Sequence, residues 1–220
     1  MDDRRTPATE TGTGRATAKA TGEVEMDELR TVRAVAAAWR KWSSEPDFPF
    51  TPDHCINGTR IVTLALSQLG VKAKPVSVSL ALFNRSAWDL FQANVPLAEW
   101  PDHAWSLGVG PGHRTGDTAK WNGHLVCEGD DWTLDISAGQ FNRPGRMVMP
   151  GPRLIPVRLP EVGMGTYHDD RQQVLMMGRW PANNAWRTAS GWSRLHATEV
   201  NEIVRRVQSR LNHPSVDSTR

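Results

Sequence analysis

Cysteine and net charge are both scarce in this chain. Two cysteines in 220 residues are too few for the disulfide framework of a small secreted domain. With 26 Lys and Arg against 24 Asp and Glu, the overall charge does not point to nucleic acid or to an anionic membrane as a partner. No apolar run approaches the roughly 18 residues of a membrane-spanning helix, and the first residues lack the apolar segment of a secretory signal. We therefore expect a cytoplasmic protein.

The chain is long enough to fold as one domain with a sizeable core. Residues 1–25 are rich in Thr, Gly, Ala and charged residues and carry almost no large apolar side chains, so we predict a disordered tail. We predict a single domain over residues 26–212 and a flexible C-terminus over residues 213–220.

Helical and strand patterns within this domain predict the α+β class. An amphipathic helix is expected from Met26 to just before Pro46, and a second one over 197–213. Between them, the strongly apolar segment from Cys55 to Gly70 predicts a central, buried helix. The remaining segments favour short strands in a mostly antiparallel sheet. The domain is thus predicted to have a buried central helix packed on a sheet, with further helices at both ends.

The segment WNGHLVCEGDDWTLDIS, residues 121–137, predicts a β-hairpin with Gly129-Asp130 as a two-residue turn. In that register His124 lies directly opposite Asp135, with Cβ atoms about 4.5–5.5 Å apart. An aspartate that accepts from one ring nitrogen fixes the imidazole tautomer and leaves the other nitrogen free to act as a base. The alternation places four apolar side chains on the other face: Leu125, Cys127, Trp132 and Leu134.

Cys55 is the candidate nucleophile because it opens the predicted central helix. The unpaired N–H groups and the dipole of a helix N-terminus favour a thiolate over a thiol. The same N–H groups can stabilise an oxyanion. Cys127 is expected to be a structural thiol that packs against Trp132, since free cysteine generally behaves as a small apolar side chain.

The order Cys, His, Asp resembles the transglutaminase-like branch of the papain-like cysteine enzymes, which also includes arylamine N-acetyltransferases. The resemblance is carried by Cys55 at a helix start, by GHLVCEGDDW and by LDIS, and it covers roughly residues 50–140. It implies a papain-like or transglutaminase-like core and a catalytic triad of Cys55, His124 and Asp135. The implied reaction is acyl transfer or amide hydrolysis through a cysteine thioester. Ile56, which follows the cysteine, departs from the family pattern.

Three further residues are predicted to border the site and bind substrate: Trp105, Trp121 and Gln140. The expected substrate is a peptide, a protein or a small acyl or amide compound, and neither nucleic acid nor a membrane is expected as a partner. No metal or organic cofactor is required by this chemistry.

Several alternatives stay open at the level of the sequence. His103, in DHAWSLGVG, competes with His124 for the role of base. The two cysteines could form a disulfide, and His54 together with Cys55, His124 and Cys127 could hold zinc, although their spacing is not that of known structural sites. A protein of a different class, a non-catalytic protein-binding module, could retain the same fold.

Overall fold

The computed structural model describes residues 14–50, 55–110, 123–142, 151–168 and 173–212. Within these ranges the chain forms five α-helices and seven strands. The helices are α1 Gly14–Ser43, α2 Cys55–Gln68, α3 Arg85–Gln92, α4 Ser190–Ser193 and α5 Ala197–Asn212. The strands are β1 Lys74–Phe83, β2 Ser106–Val109, β3 His124–Glu128, β4 Thr133–Asp135, β5 Arg153–Ile155, β6 Gly165–His168 and β7 Val174–Arg179. The predicted α+β class is confirmed.

The seven strands form one antiparallel sheet in the order β5-β4-β3-β1-β7-β6, and β2 also pairs with β1. The long strand β1 organises this sheet, because β3 pairs with its first half and β2 with its second half along the same edge. Val78 is opposite His124, and Phe83 is opposite Ser106. The start of β3 therefore lies near the middle of β1.

The larger apolar core lies where α1, α2 and α5 pack against the ends of β3 and β4. Its members include Val35, Ile61, Leu66, Cys127, Trp132, Leu134 and Ile203. A second apolar cluster contains residues of β1, β3 and β7, including Leu80, Val126 and Met177. The predicted central helix is thus present as α2, with its apolar side buried. No helix among the described residues is long and apolar enough to cross a membrane.

The first helix begins earlier than the composition predicts. Backbone in helical form starts at Gly14, inside the stretch 1–25 for which we predicted disorder. Alanine, lysine and glutamate, which recur between residues 16 and 25, have high intrinsic helix propensity, so a packed helix can extend backwards without large apolar side chains. The predicted end before Pro46 is confirmed, since α1 ends at Ser43. Residues 1–13 and 213–220 lie outside the described residues.

The hairpin turn lies one residue later than predicted. Cys127 pairs with Leu134, and the N–H of Gly129 donates to the carbonyl of Trp132 at 3.0 Å, so Asp130 and Asp131 form the turn. A Cβ on Gly129 would overlap the indole of Trp132. Position 129, immediately before the turn, therefore requires glycine. The predicted register was therefore wrong by two positions, but an even shift keeps every side chain on its predicted face.

An ion cluster that was not predicted lies at the end of β3. The carboxylate of Glu128 is fully buried, and Arg179 donates to both of its oxygens at 2.7 and 2.6 Å. Lys74 and Arg158 lie 3.7 Å from the same carboxylate, and the backbone N–H of Leu159 donates to it at 3.3 Å. These partners hold β1, β3 and β7 together at this end of the sheet.

Replacement of Glu128 by glutamine should destabilise the protein strongly. The change leaves the guanidinium of Arg179, whose side chain is 8% exposed, without its buried counter-charge, and breaking a buried pair in this way costs about 3–5 kcal/mol. The free energy of unfolding in urea measures the effect. Glu161→Gln is the matched control, because Glu161 contacts the same Arg179 from an exposed position and should matter much less. Equal losses in the two variants would contradict a dominant role for the buried carboxylate.

Candidate active site

The structure brings His124 and Asp135 together in the interior. Nε2 of His124 lies 2.9 Å from Oδ2 of Asp135, and both side chains are 1% exposed. The second carboxylate oxygen, Oδ1, accepts from the backbone N–H of Ser137 at 3.1 Å. The ring of Phe141 packs edge-on against the imidazole at 4.9 Å between centroids. The predicted pair is therefore formed and fixed, although the actual register makes it a diagonal pair and not a directly opposed one.

Cys55 is the first residue of α2, as predicted. Its side chain is 9% exposed and shares a small apolar cluster with Leu125 and Trp186. The hydroxyl of Thr59, one turn later, donates to the carbonyl of Leu125 at 3.0 Å and so ties α2 to β3. The Cys55 thiol also raises the pKa of His124, so the two side chains lie within interaction range of each other. All three predicted catalytic residues therefore meet at the junction of α2, β3 and β4.

The electrostatics of this junction favour a charged imidazole. Burial lowers the pKa of His124, but the charge and hydrogen bond of Asp135, with the contact to the Cys55 thiol, outweigh burial and raise it to about 10. At neutral pH His124 is therefore an imidazolium. Because Asp135 takes Nε2, proton exchange with the thiol has to use Nδ1, which Gln140 also contacts.

Gln140 lies beside this second ring nitrogen. It belongs to the short 3-10 helix Ala138–Phe141, which follows β4. Its Nε2 is 2.6 Å from Nδ1 of His124. The amide N–H can donate only to a neutral ring; a protonated ring donates instead, and the amide must then present its oxygen. The sequence correctly placed Gln140 near the triad, and its role in substrate binding stays a prediction.

Trp105, a second predicted border residue, is not brought to the triad. Trp105 immediately precedes β2, which begins opposite Phe83, whereas His124 lies opposite Val78. These two levels of β1 are about 16 Å apart at the strand rise of about 3.3 Å per residue. His103 lies at the same distant end, where its carbonyl accepts from Asn84, so it does not replace His124. Trp121 and His54 lie outside the described residues.

Cys127 has a structural position on the face of β3 that packs against α2, opposite the face that carries His124. Its Sγ lies 3.2 Å from Oγ1 of Thr63 and 3.6 Å from the carbonyl oxygen of Thr59. Burial raises the pKa of this thiol to about 12. Both cysteines are free, so the alternative of a disulfide between them is not realised. Within the described ranges no cluster of His, Cys, Asp and Glu side chains is arranged to hold a metal ion.

Sequence reasoning missed two tryptophans beside the nucleophile. Trp186 shares one apolar cluster with Cys55 and Leu125, and Trp192 packs against the same cluster. Both come from the segment before α5, far along the chain from α2. The tryptophan richness of this segment was the only local signal, and it does not indicate which part of the fold the rings meet.

Iodoacetamide should modify Cys55 and spare Cys127 in the folded protein. Cys127 is fully buried and its raised pKa keeps it as the unreactive thiol, whereas Cys55 contacts an imidazolium. Peptide mapping by mass spectrometry, before and after unfolding in guanidinium chloride, measures the modified fraction at each position. Modification of both thiols should follow unfolding. Equal modification of both in the folded protein would contradict the burial of Cys127.

The stabilising effect of His124 should weaken at alkaline pH. Its pKa in the folded protein, about 10, lies above the ordinary value near 6.5, so its contribution is complete below pH 6.5 and is lost as the pH rises towards 10. We expect the difference in unfolding free energy between the native protein and His124→Gln to fall by on the order of 3–5 kcal/mol between pH 6 and pH 10. Urea unfolding at several pH values tests this, and repetition in a Cys55→Ser background isolates the part due to Asp135. A difference that does not change with pH would count against the ion pair.

Comparison with known proteins adds nothing to this geometry. No family model, no curated protein and no solved structure matches the chain. The arrangement of Cys55, His124 and Asp135 is therefore the basis on which a function is argued.

Proposed function

We propose that this chain is a cysteine enzyme that catalyses acyl transfer or amide hydrolysis through a thioester on Cys55. The observation that carries the proposal is the buried His124, whose Nε2 lies 2.9 Å from Asp135 and whose pKa is raised by the nearby thiol of Cys55. A nucleophile at the head of a helix, packed on an antiparallel sheet whose neighbouring strands carry His and Asp, is also the arrangement expected of a transglutaminase-like core.

The first half of the reaction forms the thioester. The mechanism requires a Cys55 thiolate beside a His124 imidazolium, which Asp135 orients by accepting from Nε2–H. The thiolate sulfur attacks the carbonyl carbon of the substrate, and the carbonyl electron pair moves onto oxygen. When the tetrahedral adduct collapses, the C–N bond breaks and the departing amine takes the proton from Nδ1 of His124. The products of this step are a free amine and an acylated Cys55.

The second half returns the enzyme to its resting state. His124, now neutral at Nδ1, accepts a proton from water or from an acceptor amine as that nucleophile attacks the thioester carbon. The C–S bond breaks, and the thiolate of Cys55 leaves beside the newly formed imidazolium. Water as the nucleophile makes the enzyme a peptidase or amidase, and an amine makes it a transglutaminase or acyltransferase. Gln140, next to Nδ1, would position the incoming carbonyl or amide.

One observation favours a second candidate, a non-catalytic protein-binding module. Cys55 is only 9% exposed, which is low for a nucleophile that must reach a substrate. The two candidates differ in whether the thiol is activated, so a direct measure of its reactivity separates them.

The alkylation rate of Cys55 by iodoacetamide between pH 4 and pH 9 tests the proposal in a Cys127→Ser background. At pH 6 an ordinary thiol is almost entirely protonated and slow, whereas a thiolate held beside an imidazolium reacts. We expect the rate at pH 6 to exceed that of free cysteine by at least about tenfold, and His124→Ala to abolish the excess. Asp135→Asn should reduce it by a smaller factor, because it disturbs only the orientation and charge of the ring.

Acylation by an activated ester provides the second measurement. Incubation with p-nitrophenyl acetate should leave an acetyl group on Cys55, detected by mass spectrometry, and Cys55→Ser is the matched control. If Cys55 reacts slowly, if its rate does not change in His124→Ala and if no acetyl group is found on it, the enzyme proposal is contradicted. The binding module is then favoured.

A further inference from the structure

Two arginines flank the tryptophan pair next to Cys55. The rings of Trp186 and Trp192 meet edge to face with centroids 4.4 Å apart. The guanidinium of Arg60 lies over Trp192, and that of Arg187 lies over Trp186, each at 4.9 Å from the ring centroid. These four side chains form a continuous row, which we call the cationic wall. Trp186, within this wall, belongs to the same apolar cluster as Cys55.

Two buried hydrogen-bond donors of this wall have no partner among the described residues. Neither Arg60 nor Arg187 forms an ion pair with a carboxylate of the described residues, and Nε of Arg60 is buried without a hydrogen-bond partner. The same is true of Nε1 of Trp186, although that side chain is only 2% exposed. Burial of unpaired donors costs free energy. Their presence together beside the nucleophile therefore calls for a partner from outside the chain.

Two other arginines of this protein have guanidinium groups that are paired with carboxylates. Arg179 is held by Glu128 and Glu161, and Arg206 is held by Glu45 and Glu202. Each of these side chains has two carboxylates. The cationic wall differs from these pairs because it contains positive charge and N–H donors but no carboxylate acceptor.

The wall is built close to the nucleophile by the packing of two helices. Arg60 follows Cys55 on α2, about 7.5 Å further along the helix axis. Gly191 lies directly against the side chain of Asn57, where a Cβ would overlap it, so α4 can approach α2 and bring Trp192 under Arg60. A guanidinium stacked on an aromatic face keeps its edge free for in-plane, bidentate hydrogen bonds to a carboxylate.

On the basis of the proposed thioester function, we infer that the cationic wall selects acyl donors that carry a carboxylate or a similar anion close to the reacting carbonyl. The aromatic faces pack against the body of such a substrate, and Arg60 and Arg187 bind its negative charge. Binding would also satisfy the unpaired N–H of Trp186.

Two alkylating reagents of different charge test this inference. Iodoacetate and iodoacetamide attach the same carbon to the thiol with loss of iodide, but only iodoacetate is anionic. The quantity of interest is the ratio of their rate constants at Cys55, in a Cys127→Ser background. His124 raises this ratio in every variant, so the change on removal of an arginine reports the wall alone.

We expect the ratio to fall about threefold to tenfold in Arg60→Gln and again in Arg187→Gln, as expected for one charge at roughly 8–10 Å in a partly screened site. Loss of an arginine also weakens the electrostatic stabilisation of the thiolate, but this effect slows both reagents alike and cancels in the ratio. Arg60→Lys should retain part of the selectivity. Arg210→Gln is the matched control, with the same loss of charge near the far end of α5, and should leave the ratio unchanged.

The outcomes separate this inference from the proposed function. A ratio that is the same in the Arg60→Gln/Arg187→Gln double variant as in the parent, with fast, His124-dependent alkylation by iodoacetamide, would overturn the anion selectivity and leave the enzyme proposal intact. Slow alkylation whose rate does not change in His124→Ala would overturn both the anion selectivity and the proposed function. Arg187 is exposed, so its variant keeps the test valid even if Arg60→Gln does not fold.

Discussion

The hydrogen bond between His124 and Asp135 constrains most of what surrounds it. A charged pair in the protein interior is tolerated only when its remaining hydrogen-bonding capacity is met. Here the backbone of Ser137 takes the second oxygen of Asp135, Gln140 lies at the second nitrogen of the ring, and Phe141 fixes the ring plane. The turn after β4 therefore has to fold back over β3, and it does so as a short 3-10 helix.

The strand β3 carries two different kinds of burial on its two faces. Leu125 and Cys127 face the helices and contribute to apolar clusters. His124 and Glu128 share the other face at opposite ends of the strand, and each is a buried polar group with its own partners. Apolar packing on one face stabilises the position of the strand. This packing keeps the charged groups of the other face in fixed positions that exclude water. A site of this kind needs rigid neighbours, which α2 and β1 provide.

Local pattern predicted the parts of the site that depend on local structure. The start of α2 at Cys55, the faces of the hairpin and the nearness of Gln140 to the triad follow from helix capping, strand alternation and short sequence separation. The register was missed because it depends on how the large ring of Trp132 packs over Gly129. The ion cluster at Glu128 and the cationic wall were missed for a related reason. Their partners are distant in sequence, and no periodicity indicates which side chains of separate elements will meet.

The position of Cys127 has a consequence for how Cys55 withstands oxidation. Many redox-active cysteines have a second thiol nearby, which captures a sulfenic acid as a disulfide before it is oxidised further. The chain has only one other cysteine, and that thiol is fully buried further along α2, where it contacts Thr59 and Thr63. An oxidised Cys55 therefore has no resolving partner within its own chain. Its recovery depends on a thiol from outside the chain, such as a small-molecule reductant.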